Sequence, residues 1–232
     1  FVIRDVHSYE AQLEENYVLI DENKRRDVIL RGLNRLAREK GGVPMHNEEL
    51  LEEVVNIVEY PTVFLGDVPR EYLTLPPEVI ITPMMDHQRY FPVVDDDNHL
   101  LPYFLSVRNG NDQGLQNVIE GNRKVLIPRL EDAKFFYHQD QAHPLEELVP
   151  KLDELVFHEQ LGTMREKTER LESLGVSLAK LLVCGPSIQQ NIARAAHLCK
   201  ADLVTKMVVE FTELQGTMGR IYATEDGEVP AV

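Results

Sequence analysis

The stretch that most restricts the fold is Tyr90-Phe-Pro-Val-Val-Asp-Asp-Asp-Asn-His-Leu-Leu-Pro-Tyr-Phe-Leu-Ser-Val107. Two short runs of β-branched and aromatic residues flank Asp95-Asp-Asp-Asn98, and such runs around a polar turn predict a β-hairpin. The aspartates also raise the alternative of a calcium loop, but the glycine and the bidentate glutamate that an EF-hand requires are missing. Further strands are predicted upstream, at Thr62–Leu65 and Val79–Thr82.

Upstream of these strands, the apolar residues follow a helical period. Asp21–Lys40 carries its apolar side chains on one face and Arg31, Arg35 and Arg38 on another, which predicts an amphipathic helix. Asn47 precedes a second apolar stripe and is expected to cap the helix that contains it.

Downstream of the hairpin the helical period returns. The leucines of Leu145–Leu174 predict one or two long amphipathic helices, which Gly175 and the stop at Cys184-Gly-Pro186 are expected to break. A further helix, capped by Ser187, is predicted over Ser187–Phe211. We infer an α+β fold with a mixed domain over residues 1–142 and a helical domain over residues 143–232.

Composition narrows the function classes. The 39 acidic and 24 basic residues leave a net charge of −15, which disfavours a nucleic-acid partner except at local basic faces. No apolar run approaches the ~18 residues of a membrane span, so no membrane partner is expected. Two cysteines, Cys184 and Cys199, are too few for a disulfide framework or a four-ligand zinc site. We expect both to be buried free thiols and the protein to lie in a reduced, cytoplasmic setting. The start resembles no signal peptide and lacks Met, which suggests a segment of a longer chain.

Motifs for common catalytic sites are missing from the sequence. It contains no zinc-protease, nucleophile-elbow, Walker or dinucleotide motif, and we expect no metal site. His197 and Asp202 resemble a damaged HD signature, because Ala201 stands where a phosphohydrolase needs its ligand histidine. Asp202 is therefore interpreted as a buried hydrogen-bonding residue.

Two sets of polar residues remain as site candidates. One is the segment Asp86, His87, Gln88 and Arg89, which either lines a pocket or forms a turn that binds its own backbone. The other consists of cations that either face phosphates or solvate helix faces. These cations are Arg165, Lys167, Arg170, Arg194, Lys200 and Lys206.

Several blocks of sequence are more specific than any single motif. They are Leu51-Glu-Glu-Val-Val55, Asp86-His-Gln-Arg-Tyr-Phe-Pro-Val93, Gly121-Asn-Arg-Lys-Val125, Pro128-Arg-Leu-Glu-Asp-Ala133, Leu161-Gly-Thr-Met-Arg-Glu-Lys-Thr168 and Glu210-Phe-Thr-Glu-Leu-Gln-Gly-Thr-Met-Gly219. In this order they resemble the beta subunit of the bacterial tetrameric glycyl-tRNA synthetase. That subunit is much longer, so the resemblance implies an internal piece.

The resemblance implies the fold and function of this piece. It implies a domain similar to B3/B4 of phenylalanyl-tRNA synthetase, followed by the first part of an HD-like helical domain. The implied enzyme is an alpha2beta2 ligase that joins glycine to its tRNA. Its beta subunit mainly binds tRNA, and its partners are the alpha subunit, tRNA(Gly) and a second beta subunit. The alpha subunit holds the aminoacylation core, so this piece alone is expected to be inactive and to bind no cofactor, although the holoenzyme uses ATP.

A hydrolytic domain is the alternative function, acting either in editing or as an HD-type phosphohydrolase. Ala201 argues against the phosphohydrolase because a metal ligand is lost. Glycine is the smallest amino acid, so larger ones can be rejected sterically and the need for editing is small.

Overall fold

The structure is a computed structural model that describes residues 2 and 5–232. It has an α+β fold, as predicted, and its contacts divide into two compact units. We call these the N-terminal unit, which extends to Asp132, and the C-terminal unit, Ala133–Val232. Helix Leu115–Asp140 crosses this division. The domain boundary predicted after residue 142 lies just beyond that helix, and the two domain assignments stay predictions.

The N-terminal unit combines helices with a four-stranded antiparallel sheet. Its elements are α1 (Tyr9–Glu15), α2 (Glu22–Arg38), β1 (Val43–Pro44), α3 (Glu48–Ile57), β2 (Pro61–Asp67), a 3-10 helix (Arg70–Thr74), α4 (Pro77–Thr82), a π-helical turn (Pro83–His87), β3 (Phe91–Val94), β4 (Leu100–Asn109) and the first part of α5 (Leu115–Asp140). The strand order is β1-β3-β4-β2.

The predicted hairpin is confirmed as β3–β4. Phe91 pairs with Leu105, and both are buried. At the tip, Asp95 Oδ1 accepts hydrogen bonds from the backbone N–H groups of Asp97 at 3.0 Å and His99 at 2.8 Å. The aspartate thus holds the turn through its own backbone, as Asx turns do.

The two predicted helices before the sheet are also confirmed. Asn47 Oδ1 accepts the Leu50 N–H at 2.9 Å, so it caps α3. In α2, Leu33 lies in the core, and Gly32 lies so close to β2 that a Cβ would stand 2.5 Å from a Val63 methyl group. The absence of a side chain at Gly32 therefore lets the helix pack directly on the strand.

The strand predicted at Val79–Thr82 is wrong, because this segment forms α4. Pro77 occupies the first helical turn, where its fixed φ favours a helix and its missing N–H costs nothing. Val79 and Ile80 are both buried. A short apolar run that is mostly buried shows no clear period, so it fits a strand and a helix equally well.

The C-terminal unit begins within α5 and is mostly helical. Its further elements are α6 (Leu145–Leu148), a 3-10 helix (Val149–Glu154), β5 (Val156–His158), β6 (Gly162–Thr163), α7 (Met164–Leu181), α8 (Pro186–Leu198), a 3-10 helix (Ala201–Val204), α9 (Lys206–Glu210), a 3-10 helix (Thr212–Leu214) and α10 (Thr217–Glu225). None of the helices in the described residues has the length and apolar character needed to cross a membrane.

Several helix boundaries predicted here are wrong. The leucine-rich segment Leu145–Leu174 is interrupted by the β5–β6 hairpin. Gly175 does not end α7; instead, it brings α7 against α8, where a Cβ would stand 2.9 Å from an Ile192 methyl group. Ser187 does not cap α8, since Gly185 holds the cap position, and the helix ends long before Phe211.

The cysteines also differ from the expectation of two buried thiols. Cys184 is half-buried, and Cys199 is exposed at the end of α8. Both are free thiols.

Candidate functional site

The start of α7 is fixed by a reciprocal cap. Thr163 Oγ1 accepts the Glu166 N–H at 3.2 Å, and a Glu166 carboxylate oxygen accepts the Thr163 N–H at 2.8 Å. This capping box satisfies two of the donors that a helix start leaves unpaired. It positions the first turns of α7, which carry three of the candidate cations.

Those three cations contact nearby groups in the C-terminal unit. Lys167 Nζ lies 3.6 Å from the centroid of the Phe157 ring, and an Arg170 N–H donates to the Leu161 carbonyl oxygen at 3.0 Å. Arg165 pairs at 3.0 Å with the glutamate one turn later. Lys167 and Arg170 therefore hold the β5–β6 hairpin against α7, in addition to any role towards a ligand.

Arg194 is enclosed in a network of ion pairs. Its guanidinium binds Glu228 at 2.5 Å and also binds Glu146. Glu146 in turn lies 3.0 Å from His197 Nε2, whose Nδ1 lies 3.7 Å from Glu172. The hydrogen bond to Glu228 is the main reason why the pKa of Arg194 is raised. Two carboxylates thus offset its charge, and it links α6, α8 and the segment after α10.

Lys200 and Lys206 flank the 3-10 helix Ala201–Val204. Lys206 begins α9, and its backbone N–H donates to Asp140 Oδ1 at 2.8 Å, so the backbone is held while the side chain is exposed. Lys200 is half-buried and precedes the 3-10 helix. Neither ammonium group forms an ion pair with any described residue. These two cations are therefore available to an external anion, in contrast to Arg194.

Asp202, between the two lysines, is a completely buried carboxylate. Its Oδ2 accepts the N–H groups of Gly216 at 2.5 Å and Gly219 at 3.2 Å, at the start of α10. Its Oδ1 has no hydrogen-bond partner among the described residues. Burial raises the pKa of this carboxyl group, and the glycine N–H groups oppose the shift. The interpretation of Asp202 as a buried hydrogen-bonding residue is confirmed.

The close approach at this cap depends on glycine. Gly216 has a φ of 80°, in the left-handed region that favours glycine. A Cβ on Gly219 would stand 3.2 Å from Asp202 Oδ2. The segment Gly216–Gly219 therefore serves close packing around the carboxylate.

The segment Asp86–Arg89 lies in the N-terminal unit, on the π-helical turn and the two residues after it. Arg89 has a φ of 57° and forms an ion pair with Glu53. Asp86 is exposed, whereas His87 and Gln88 are half-buried. The structure thus forms a turn at these positions, and their use as a pocket stays a prediction.

The family assignment rests on a match over the full length of the chain. The family described as glycyl-tRNA synthetase beta subunit matches residues 1–232. The chain belongs to this family. A glycine–tRNA ligase beta subunit from Moorella thermoacetica is 51% identical over 221 residues, which are 95% of this chain and 32% of that protein. For the same subunit from Lactiplantibacillus plantarum, the identity is 50% over 224 residues, or 97% of this chain and 32% of that protein.

A more distant relative covers the whole chain. The glycine–tRNA ligase beta subunit from Trichlorobacter lovleyi is 45% identical over 232 residues, which are 100% of this chain and 34% of that protein. The chain therefore spans about a third of the length of these curated relatives.

In this segment of the glycyl-tRNA synthetase beta-subunit family, the structure separates the six candidate cations into three groups. Arg165, Lys167 and Arg170 lie together at the start of α7, Lys200 and Lys206 flank a buried carboxylate, and Arg194 is paired. The partners of Arg194 are 34 and 48 residues away in sequence, so no local pattern could have indicated them. Among the described residues, no three His, Cys, Asp or Glu side chains gather as metal ligands would; the absence of a metal stays a prediction.

Proposed function

We propose that this chain is part of the tRNA-binding and assembly portion of the beta subunit of a glycine–tRNA ligase. The complete enzyme is an alpha2beta2 tetramer in the cytoplasm that uses ATP to join glycine to tRNA(Gly). Its partners are the alpha subunit, the tRNA and the second beta subunit. The observation that carries the proposal is the family match over residues 1–232, together with relatives named as beta subunits of this ligase.

Two cations of the C-terminal unit support a role in binding tRNA. The chain carries a net charge of −15, so a polyphosphate is repelled by most of its surface. Contacts must then come from local cations that no carboxylate neutralises. Lys200 and Lys206 form no ion pair in the described part of the chain, although the buried Asp202 interacts electrostatically with Lys200.

At the level of domains, we propose a B3/B4-like fold for the mixed part and an HD-like fold for the helical part. The buried Asp202 argues against an HD-type phosphohydrolase, because its carboxylate caps α10 and is closed to solvent. With Ala201 in place of a ligand histidine, the turn lacks a second metal-binding side chain at that position. A structural role of this turn therefore fits better than hydrolysis.

The experiment compares Lys200→Gln/Lys206→Gln with wild type in the complete alpha2beta2 enzyme. We measure the dissociation constant for tRNA(Gly) between 50 and 200 mM salt. If both lysines contact phosphates, the log–log salt slope flattens by about 1.8, from about 0.9 for each duplex contact. Over this range the wild type then loses about tenfold more affinity than the variant. Glycyl-adenylate formation is expected to stay unchanged.

A matched control is Lys151→Gln/Lys180→Gln. Both lysines are exposed in the same unit, and neither pairs with a carboxylate in the described residues, so the net charge changes equally. An unchanged slope in the control and a flattened one in the Lys200/Lys206 variant support the proposal. Equal slopes in all three enzymes contradict a tRNA contact at Lys200 and Lys206.

A further inference from the structure

The outward face of α2 carries a row of arginines. Arg31, Arg35 and Arg38 are exposed, and at about 100° per residue they fall within an arc of about 60°. The opposite side of the helix carries Leu33 and Ala37, which are buried in the core. Arg31 and Arg38 are separated by about 10 Å along the helix axis. We call these three residues the arginine row.

Most of the positive charge of the arginine row is not paired with carboxylates in the described residues. Within residues 2 and 5–232, neither Arg31 nor Arg38 forms an ion pair. Arg35 pairs with Glu39 at 3.3 Å, but both side chains are more than half exposed, at 67% and 54%. A pair so open to water is weak and can give way to a stronger anion.

The other cations of the same helix show the contrast. Lys24 pairs with Glu10, and Arg26 pairs with both Glu48 and Glu52. Arg25 donates to backbone carbonyl oxygens, including that of Val55 at 3.1 Å. The first half of α2 therefore uses its cations internally, whereas the second half presents them to solvent.

A shallow, wide-open depression runs along the row on the surface of α2. It is lined by Leu30, Arg31, Asn34, Arg35, Arg38 and Glu39. The Asn34 side chain lies beside the row and donates a hydrogen bond to the Leu30 carbonyl oxygen at 2.8 Å. An extended anion with several charges can lie along this open face and meet each guanidinium in turn.

Helix energetics explain only part of the row. Arg35 and Arg38 lie in the last turn, where a cation is stabilised by the helix dipole. Arg31 lies near the middle of α2, where the dipole contributes little. Three cations thus gather on one face of a protein whose net charge is −15, although Asp27 and Glu39 are exposed nearby.

We propose that the arginine row binds the phosphodiester backbone of tRNA. Guanidinium groups bind phosphate oxygens in a bidentate manner, which makes arginine well suited to this task. Contacts to the backbone position the RNA without reading its sequence. The inference rests on the proposed function and deepens it, because it adds a tRNA contact in the N-terminal unit.

The test uses the complete alpha2beta2 enzyme with Arg31→Gln/Arg38→Gln. The control is Lys24→Gln/Lys124→Gln, which removes two charges from the same unit at exposed lysines that already pair with Glu10 and Glu120. We measure tRNA(Gly) affinity between 50 and 200 mM salt. The arginine variant is expected to flatten the log–log slope by about 1.8, whereas the control leaves it nearly unchanged.

Two further measurements make the result specific. Arg31→Lys/Arg38→Lys keeps both charges and is expected to give the wild-type slope. If the glutamine variant lost its slope only because it folded poorly, keeping the charges would not by itself bring the slope back. A backbone contact also predicts the same fold-loss of affinity for a non-cognate tRNA. Unchanged glycyl-adenylate formation and melting temperature show that the enzyme is intact.

The outcomes separate this inference from the proposed function. If wild type binds tRNA and the arginine variant has the same slope, the arginine row is not a contact surface. A control variant that changes as much as the arginine variant, or a loss confined to tRNA(Gly), also overturns the inference. If the wild-type enzyme binds no tRNA, the proposed function itself fails, and this inference fails with it.

Discussion

Replacing Asp202 tests how the turn before α9 supports α10. Asp202→Ala removes the acceptor of two backbone hydrogen bonds, from Gly216 at 2.5 Å and Gly219 at 3.2 Å. A buried backbone N–H group that loses its acceptor and stays unsatisfied costs about 1–3 kcal/mol. Gly216 is exposed, so water can replace part of the loss. We therefore expect local opening of α10 to become easier by about 2–4 kcal/mol.

Asp202→Asn separates the hydrogen bonds from the charge. The amide keeps one oxygen for the glycine N–H groups, but its NH2 replaces the unpartnered Oδ1, so we expect a smaller cost than for alanine, about 1–2 kcal/mol. Because burial raises the folded-state pKa of Asp202, the folded chain holds this proton more tightly than the unfolded chain. The stability that this group contributes is thus present at low pH and is lost as the pH rises through the folded-state pKa. The asparagine variant lacks this dependence.

The assay is amide hydrogen exchange of Thr217–Glu225 in the full-length beta subunit, expressed as protection relative to the unstructured chain. The expected loss in Asp202→Ala corresponds to about 30- to 1000-fold lower protection, since 1.4 kcal/mol is tenfold. Asp132→Ala serves as the control, because Asp132 is an exposed residue on α5. Equal protection in the alanine variant and wild type, or equal losses for alanine and asparagine, would refute this account of the cap.

Two further predictions concern the sheet and the division of labour in the enzyme. Gly66→Ala is expected to lower the stability of the N-terminal unit by about 1–3 kcal/mol. A Cβ at this position would stand 2.3 Å from the buried Phe104 ring, which stacks on Tyr90 at 4.6 Å. An unchanged melting temperature contradicts this prediction. The chain of residues 1–232, purified without the alpha subunit, is expected to show no glycine-dependent ATP–pyrophosphate exchange, since its sequence carries no nucleotide-binding motif; measurable exchange contradicts it.

Local signals made much of the N-terminal unit predictable. Asn47 caps α3 through a group three residues away, and Asp95 closes its hairpin through groups two and four residues away. The residues of the α4 segment wrongly predict a strand, because a short and mostly buried apolar run has no period. The leucines on either side of the β5–β6 hairpin follow a helical period, so the pattern predicts one or two helices and does not indicate the hairpin.

The candidate site was less predictable, for a different reason. In sequence, Arg194, Lys200 and Lys206 are all simply cations on helical segments, yet of these three only Arg194 is bound by carboxylates in the described residues. Its partners Glu146 and Glu228 approach it through the tertiary fold, which local spacing does not encode. The same holds for Arg31. Lys24, Arg25 and Arg26 of the same helix contact other parts of the fold, whereas Arg31 forms no ion pair in the described residues, and the sequence does not show this difference.

The claim that this segment binds tRNA is tested most directly by cross-linking the intact alpha2beta2 enzyme to tRNA(Gly) and identifying each cross-linked residue. The account predicts cross-links within residues 1–232, at Lys200 and Lys206 and along the outward face of α2 around Arg31 and Arg38. Cross-links that all lie outside residues 1–232, under conditions where the enzyme binds its tRNA, would contradict it.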